Sequence, residues 1–418
     1  MMGQRHCLLL FALLCLFCIA CSKNQITLPP AINEDNLVNT TYLSDTVMKK
    51  MEGVFGLSQG NNTLGTEFVC KTSKNKLSFF SNTSGIFMIL SYGFNPADGS
   101  IQFAGFWRYS EFTTQGIINF SVSSSNGSGN FLLTGDPTGL ILEGSFRDKN
   151  GASQAITLKF GRPFTQYAIT HEFEIYAHHG VQTTANPPYA ENSLLGVVHD
   201  QDYGVNGLEF DIQLTRDHIP ICMHDDNIDI RLTKKSPLTG NYSQYDFDFL
   251  ETYIRLVDGQ KIPSLEQCLN AFIDSTTLKY FWMDVKGDPD IFKYLEPIVR
   301  NAYTRAGSKN RDVIIYADMP SKSVIEEFQA WPPYADLPTM CEQSLQDVID
   351  THSEYWGPRY SEGLLLDDVA KAHGMGIKVV SWTLNEKNLI INYLQNGQFD
   401  GFISDYPAYV VYYFYTMF

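Results

Sequence analysis

The sequence predicts a (β/α)₈ barrel preceded by a smaller all-β domain. Residues 46–165 carry short runs rich in Phe, Ile, Val and Thr, separated by Gly, Asn and Asp turns. That is the pattern of an antiparallel sandwich or barrel. Residues 170–418 alternate strand-like runs with amphipathic helical stretches, the pattern of βα units on a parallel sheet. Eight such strand runs fit a closed parallel barrel, whose functional groups gather at the C-terminal strand ends.

The chain has 418 residues, 44% hydrophobic and 18% charged, with a formal net charge of −16. This length and composition support a packed core in each of two domains and exclude global disorder. The acidic balance argues against a nucleic-acid partner, which needs basic stripes. An anionic small substrate would need a bound cation or a local basic pocket.

Residues 1–20 read as a targeting segment. Arg5 precedes an apolar run over 8–20, shorter than the roughly 20 residues that span a bilayer. The run ends at Ile19-Ala20-Cys21, followed by Ser22-Lys23-Asn24. This resembles the lipobox of bacterial lipoproteins. The resemblance implies acylation of Cys21, export to the bacterial cell envelope, and membrane contact through that anchor only. Residues 21–45 are polar, include Pro29-Pro30, and read as a tether. Beyond the targeting segment, Cys70, Cys222, Cys268 and Cys341 are widely spaced without a CxxC. They read as buried free thiols, not as a disulfide framework or zinc site.

Strands of the first domain are expected at 67–71, 76–80, 85–93, 100–109, 116–122, 129–134, 139–146 and 155–160. Turn signals lie between them, such as Asn95-Pro96-Ala97-Asp98-Gly99 and Gly135-Asp136-Pro137-Thr138-Gly139. The domain has no His and no catalytic cluster, so its role is open. In the second domain, strands are expected at 174–177, 207–214, 220–223, 280–285, 313–317, 338–341, 378–384 and 401–404. Helices are expected at 264–273, 291–306, 321–331 and 361–373, the last closed by Gly374-Met375-Gly376.

Four polar clusters fall at the ends of the first four expected strands: His178-His179, Glu209 with Asp211, His224-Asp225, and Asp284 with Lys286. Period two puts Glu209 and Asp211 on one strand face, and Asp284 and Lys286 on one face of another. Inward charges cost several kcal/mol unless they bind something. Three carboxylates converging without Cys favour a hard cation, Ca²⁺ or Mg²⁺. Lys286 would face an anionic substrate. Two imidazoles at the mouth can move protons near neutral pH. With a divalent cation, this set suits in-line displacement at a phosphodiester.

In order, the chain offers Ala177-His178-His179-Gly180, Ala190-Glu191-Asn192-Ser193, Glu209-Phe210-Asp211, Thr215-Arg216-Asp217, His224-Asp225, Arg231-Leu232-Thr233 and Ile262-Pro263-Ser264-Leu265. Ser381-Trp382-Thr383-Leu384-Asn385 and Ser404-Asp405-Tyr406-Pro407 close the set. This ordered set resembles the glycerophosphodiester phosphodiesterase family, a (β/α)₈ barrel. The resemblance implies a small-molecule phosphodiester substrate, cleaved to glycerol phosphate and an alcohol. It implies His178 and His224 as the acid/base pair, and Glu209, Asp211 and Asp284 as ligands of a divalent cation. It implies His179, Lys286 and Trp382 as substrate contacts. Glu191 and Asn192 are expected to cap the first helix.

Two positions depart from the family pattern. His179 stands where the family has Arg, and a neutral imidazole does not replace a bidentate guanidinium on phosphate. Asp284 stands where the family has Glu, with a shorter reach to a cation. Two other readings remain: a phospholipase-type barrel acting on intact phosphoinositide or sphingolipid, and an inactive barrel whose β domain binds a partner.

Overall fold

A computed structural model describes residues 26–149, 151–180, 187–288, 290–331 and 337–418. The targeting segment and Cys21 lie outside these residues.

Eight antiparallel strands form a closed up-and-down barrel: β1 (Gly53–Gly60), β2 (Glu67–Ser73), β3 (Lys76–Phe80), β4 (Phe87–Asn95), β5 (Ser100–Arg108), β6 (Gln115–Val122), β7 (Ile141–Asp148) and β8 (Gln154–Arg162). Alternation decides which side chains fill it. Phe68, Cys70, Met88, Leu90, Ile118 and Phe120 pack inside. Their neighbours Val69, Phe87 and Ile89 point out and join the core of the second domain. Residues 129–134, expected as a strand, form a helix instead, Ser128–Thr134. Gly127 and Gly135, at φ 99° and 75°, bracket it. Its run has no strand-like alternation to bury, since Leu133 is 86% exposed. The barrel closes instead through β1, a Gly-rich strand with weak strand propensity, which pairs with both β2 and β8.

The second domain is a closed parallel barrel. Its strands are β9 (Glu174–Ala177), β10 (Gly207–Leu214), β14 (Tyr280–Val285), β15 (Ile314–Met319), β16 (Thr339–Cys341), β17 (Tyr355–Trp356), β18 (Lys378–Ser381) and β19 (Gly401–Ser404). β19 pairs with β9, and β9 with β10, to close the ring. The segment at 220–223, expected as the third barrel strand, is not in the ring. β11 (Pro220–Cys222) folds back antiparallel on β10. The missing member is β17, only two residues long, too short to show a period. Two further short strands, β12 (Asn227–Ile228) and β13 (Gly240–Asn241), pair in the segment that follows β11. Below the mouth, Tyr176, Trp282, Tyr316, Tyr355 and Ile403 fill the barrel interior.

Helix Leu265–Ser275 starts at a capping box: Ser264 Oγ accepts from the Gln267 amide, and Gln267 Oε1 accepts from the Ser264 amide. The C-terminal helix Pro407–Met417 is apolar nearly all round, because it lies between the two barrels. The Tyr412 hydroxyl donates to Glu67 and Lys71 donates to Tyr415. Ser73 donates to Asp202 at 2.5 Å, and the Phe87 and Tyr203 rings pack 4.8 Å apart. Residues 27–41, expected within a tether, are laid across the barrels. The Thr27 amide donates to Pro187 O, Asn36 donates to Phe103 O, and Thr41 pairs with Phe94.

Gly180 follows the two mouth histidines at φ +64°, and a Cβ there would meet Phe210 Cε1 at 2.3 Å. Gly180→Ala therefore combines left-handed strain with overpacking. It should cost about 1–3 kcal/mol, read as a lower melting temperature.

Candidate active site

The site is built on three adjacent strands. In register, Asp211 of β10 lies beside Asp284 of β14, which lies beside Asp318 of β15. β9 ends at Ala177, and the chain turns sharply through His178-His179-Gly180, with His179 at φ 54°. This turn brings the His179 amide to Glu209 Oε2 at 2.9 Å. It also sets His179 Nδ1 against Asp211 Oδ2 at 2.6 Å. His224, just beyond β11, returns to the same mouth because the Met223 amide donates to Asp211 O. The His179 and His224 rings are 5.0 Å apart. His178, His179, Glu209, His224, Asp284, Glu342, Trp282 and Trp382 line a cavity of about 370 Å³.

Each mouth histidine outside the carboxylate cluster has its own carboxylate. His178 Nδ1 lies 2.6 Å from Asp405 Oδ1, and Asn385 donates to Asp405 Oδ2 at 2.6 Å. His224 Nδ1 lies 2.8 Å from Asp225 Oδ1. Arg231 binds Asp225 through Nε at 2.7 Å and also holds Glu191 through both Nη atoms. With Nδ1–H donating to a carboxylate, each ring leaves Nε2 as its working nitrogen. Asp405 is mostly buried, yet the hydrogen bond from His178 holds its carboxyl below the ordinary value. Asp225 is held down to about 2: burial opposes this, and the Arg231 and His224 hydrogen bonds prevail. Asp405→Asn keeps the shape but removes the charge that fixes the His178 tautomer. Turnover should fall at least about tenfold with the melting temperature little changed.

Asp211 is fully buried, and its Oδ1 is ion-paired without a hydrogen bond. Its Oδ2 meets His179 and Asn192, the latter at 2.7 Å, and its Oδ1 meets Lys286 Nζ at 2.7 Å. Burial alone would raise this carboxyl, but the His179 and Lys286 cations hold it well below the usual range. Conversely, burial disfavours the His179 imidazolium, and Asp211 and Glu209 outweigh burial and lift its pKa to about 10. His179 Nδ1 thus faces Asp211 and not open cavity, at 2.6 Å.

Lys286 bridges Asp211 and Asp284 at 2.7 Å each and does not line the cavity. Burial raises Glu209. Glu209 Oε1 and Asp284 Oδ1 are buried with no hydrogen-bond partner among the described residues. Ligand atoms of Glu209, Asp211 and Asp284 all lie within 4.8 Å of one another. Three carboxylates this close together, each with a buried oxygen that makes no hydrogen bond, fit a hard divalent cation.

Trp382 lines the cavity, with Nε1 on Gly357 O at 2.8 Å and the Arg359 guanidinium 5.5 Å from its ring. Asn192 does not cap a helix. Ser193 does, accepting from the Gly196 amide, while Asn192 exchanges hydrogen bonds with Asp211 in both directions. Glu191 serves Arg231. Sequence reasoning missed Asn385 and the pair Asp318 and Glu342, which share a hydrogen bond and are raised well above the usual range by burial. Asn385 sits in the Trp-Thr-x-Asn run, a usable signal. Asp318 and Glu342 carry none, because single acids at strand ends are common.

A parallel barrel with two carboxylate-tethered imidazoles and a buried carboxylate cluster at its mouth has the groups for acid/base chemistry on an anionic substrate. Residues 178–328 match the model of the glycerophosphoryl diester phosphodiesterase family. Over these residues the chain is similar to that family, and it is an enzyme. It is 23% identical to the uncharacterized protein YqiK of Bacillus subtilis over 244 residues, covering 56% of this chain and 95% of that one. It is 22% identical to a glycerophosphodiester phosphodiesterase of Bacillus altitudinis, with the same coverage. A glycerophosphodiester phosphodiesterase structure from Parabacteroides distasonis aligns at TM-score 0.48 and 19% identity, covering 59% of this chain and 98% of that one. A phosphodiesterase from Oleispira antarctica, in complex with sn-glycerol-3-phosphate, aligns at 0.44 and 18%, covering 58% and 97%.

Proposed function

We propose that this enzyme hydrolyses glycerophosphodiesters to glycerol phosphate and an alcohol, using His178 and His224 as its acid/base pair and a divalent cation, Ca²⁺ or Mg²⁺. The observation that carries the reading is the matched pair of tethers, Asp405 on His178 and Asp225 on His224. Each leaves one ring nitrogen at the shared cavity. One imidazole takes a proton from the attacking hydroxyl, and the other gives one to the leaving alcohol. Glu209 and Asp284 would hold the cation through their unpartnered oxygens. Asp211 would join through Oδ1, which is ion-paired to Lys286 but makes no hydrogen bond. When bound, the cation neutralises charge at the phosphoryl oxygens. Lys286 and His179 tune this cluster, and Trp382 walls the substrate.

The alcohol-release assay tests this. Activity should vanish with chelator and return with Ca²⁺ or Mg²⁺. Full turnover in chelator would sink the cation's role. The reading also includes export to the bacterial cell envelope and acylation of Cys21. Palmitate labelling of the expressed chain, lost in Cys21→Ser, tests that part.

A further inference from the structure

We propose that the mouth of the catalytic barrel faces a lipid bilayer, held there by residues 26–32. The inference rests on the Cys21 anchor. It goes further, to the side of the molecule that the membrane covers.

The Thr27 amide donates to Pro187 O at 3.1 Å. Pro187 belongs to the connection that follows His178-His179-Gly180, on the mouth side of the barrel. Arg108 is 1% exposed, and its Nη1 donates to Thr27 O at 3.0 Å. A buried guanidinium needs its acceptors, and Thr27 O is one of them. Gln115 donates to Leu28 O at 2.8 Å. From residue 27 the chain is therefore pinned beside the mouth, to the connection after β9 through Pro187 and to the first barrel through Arg108 and Gln115. Only residues 22–26 separate that point from Cys21, a reach of about 20 Å when fully extended. An acyl chain on Cys21 cannot enter a bilayer on the far side of a barrel without releasing these contacts.

The rim suits that placement. The insertion between β11 and helix Leu265–Ser275 lies on the mouth side and carries helix Phe247–Tyr253. On it Tyr245, Phe249 and Tyr253 form a ladder, with ring centroids 5.9 and 4.6 Å apart. Phe249 and Tyr253 are 43% and 51% exposed. Amphipathic rings of this kind favour the headgroup level of a bilayer. Leu366, exposed at the start of the helix after β17, stands on the same side.

The test uses the full chain, anchored in vesicles whose acyl chains carry bromine as a quencher. Single cysteines, Phe249→Cys and Leu366→Cys at the rim and Ile169→Cys before β9 at the opposite end, carry a fluorescent label. Among the described residues the four cysteines, Cys70, Cys222, Cys268 and Cys341, are buried. We expect both rim labels to lose most of their emission and the Ile169→Cys label to keep it. A Gly/Ser insertion of about 20 residues between Gln25 and Ile26, long enough to let the barrel turn, should erase the difference. Equal quenching at both ends, or stronger quenching at Ile169→Cys, in a chain that sediments with the vesicles overturns the orientation alone. A chain that stays in the supernatant overturns the anchor, and the orientation with it.

Discussion

Replacing His178 or His224 by alanine lowers alcohol release by about 10²–10⁴-fold, the usual contribution of a positioned acid or base. Both side chains are partly exposed at the mouth, at 24% and 42%. Neither fills the core, so the melting temperature should stay close to that of the unchanged protein. The comparison thus separates chemistry from folding. Each ring is paired with a different carboxylate, so the double variant should be little worse than the weaker single one if both act in the same step. Full activity in either single variant would remove that histidine from the mechanism.

The second large effect concerns stability. In chelator, His179→Ala should destabilise the protein by about 3–5 kcal/mol, because it strips a cation from a fully buried carboxylate. Asp211 would keep Lys286 and Asn192 but lose its contact at 2.6 Å. The pH dependence follows from linkage. The folded-state pKa of His179 is raised from 6.5 to about 10, so folding takes up a proton there. The stabilisation is fully present below pH 6.5 and is lost as pH rises through 10. Thermal melting in chelator should show that decline in the unchanged protein and lack it in His179→Ala. His179→Arg, which keeps its charge throughout, should also lack it. A flat profile in the unchanged protein over that window would mean that the ring is neutral and that the contact to Asp211 is an ordinary hydrogen bond.

Much of this architecture was legible in the residues. Glu209 and Asp211 sit at alternate positions of a fully buried strand, and period two alone puts them on one face. Strands at 174–177, 207–214, 280–285 and 401–404 have the expected bounds, because each is a dense apolar run with clear turn signals. Other elements failed for physical reasons. β17 is two residues long, and its place in the ring comes from pairing with its neighbours. β11 has a strand's composition, but only tertiary structure tells a barrel stave from a returning hairpin. Residues 129–134 have strand-like hydrophobicity, yet left-handed glycines at both ends close them as a helix. At the site, residue types were readable and their partners were not. The chain shows Asp405 and Arg231 as parts of separate motifs. Their joint service to His178 and His224 exists only once loops far apart in sequence meet at the mouth. The raised pKa of His179 likewise comes from Asp211 and Glu209, which meet it only in the fold and outweigh its burial.

The most direct test of the account is product analysis with the purified mature chain and a panel of soluble glycerophosphodiesters beside the matching intact phospholipids, in Ca²⁺, Mg²⁺ or chelator. The account predicts glycerol phosphate and alcohol in equal amounts from at least one soluble diester, only with the cation, and no cleavage of the intact lipid. Silence on every soluble diester while the cation is bound, or faster cleavage of intact lipid, would contradict it.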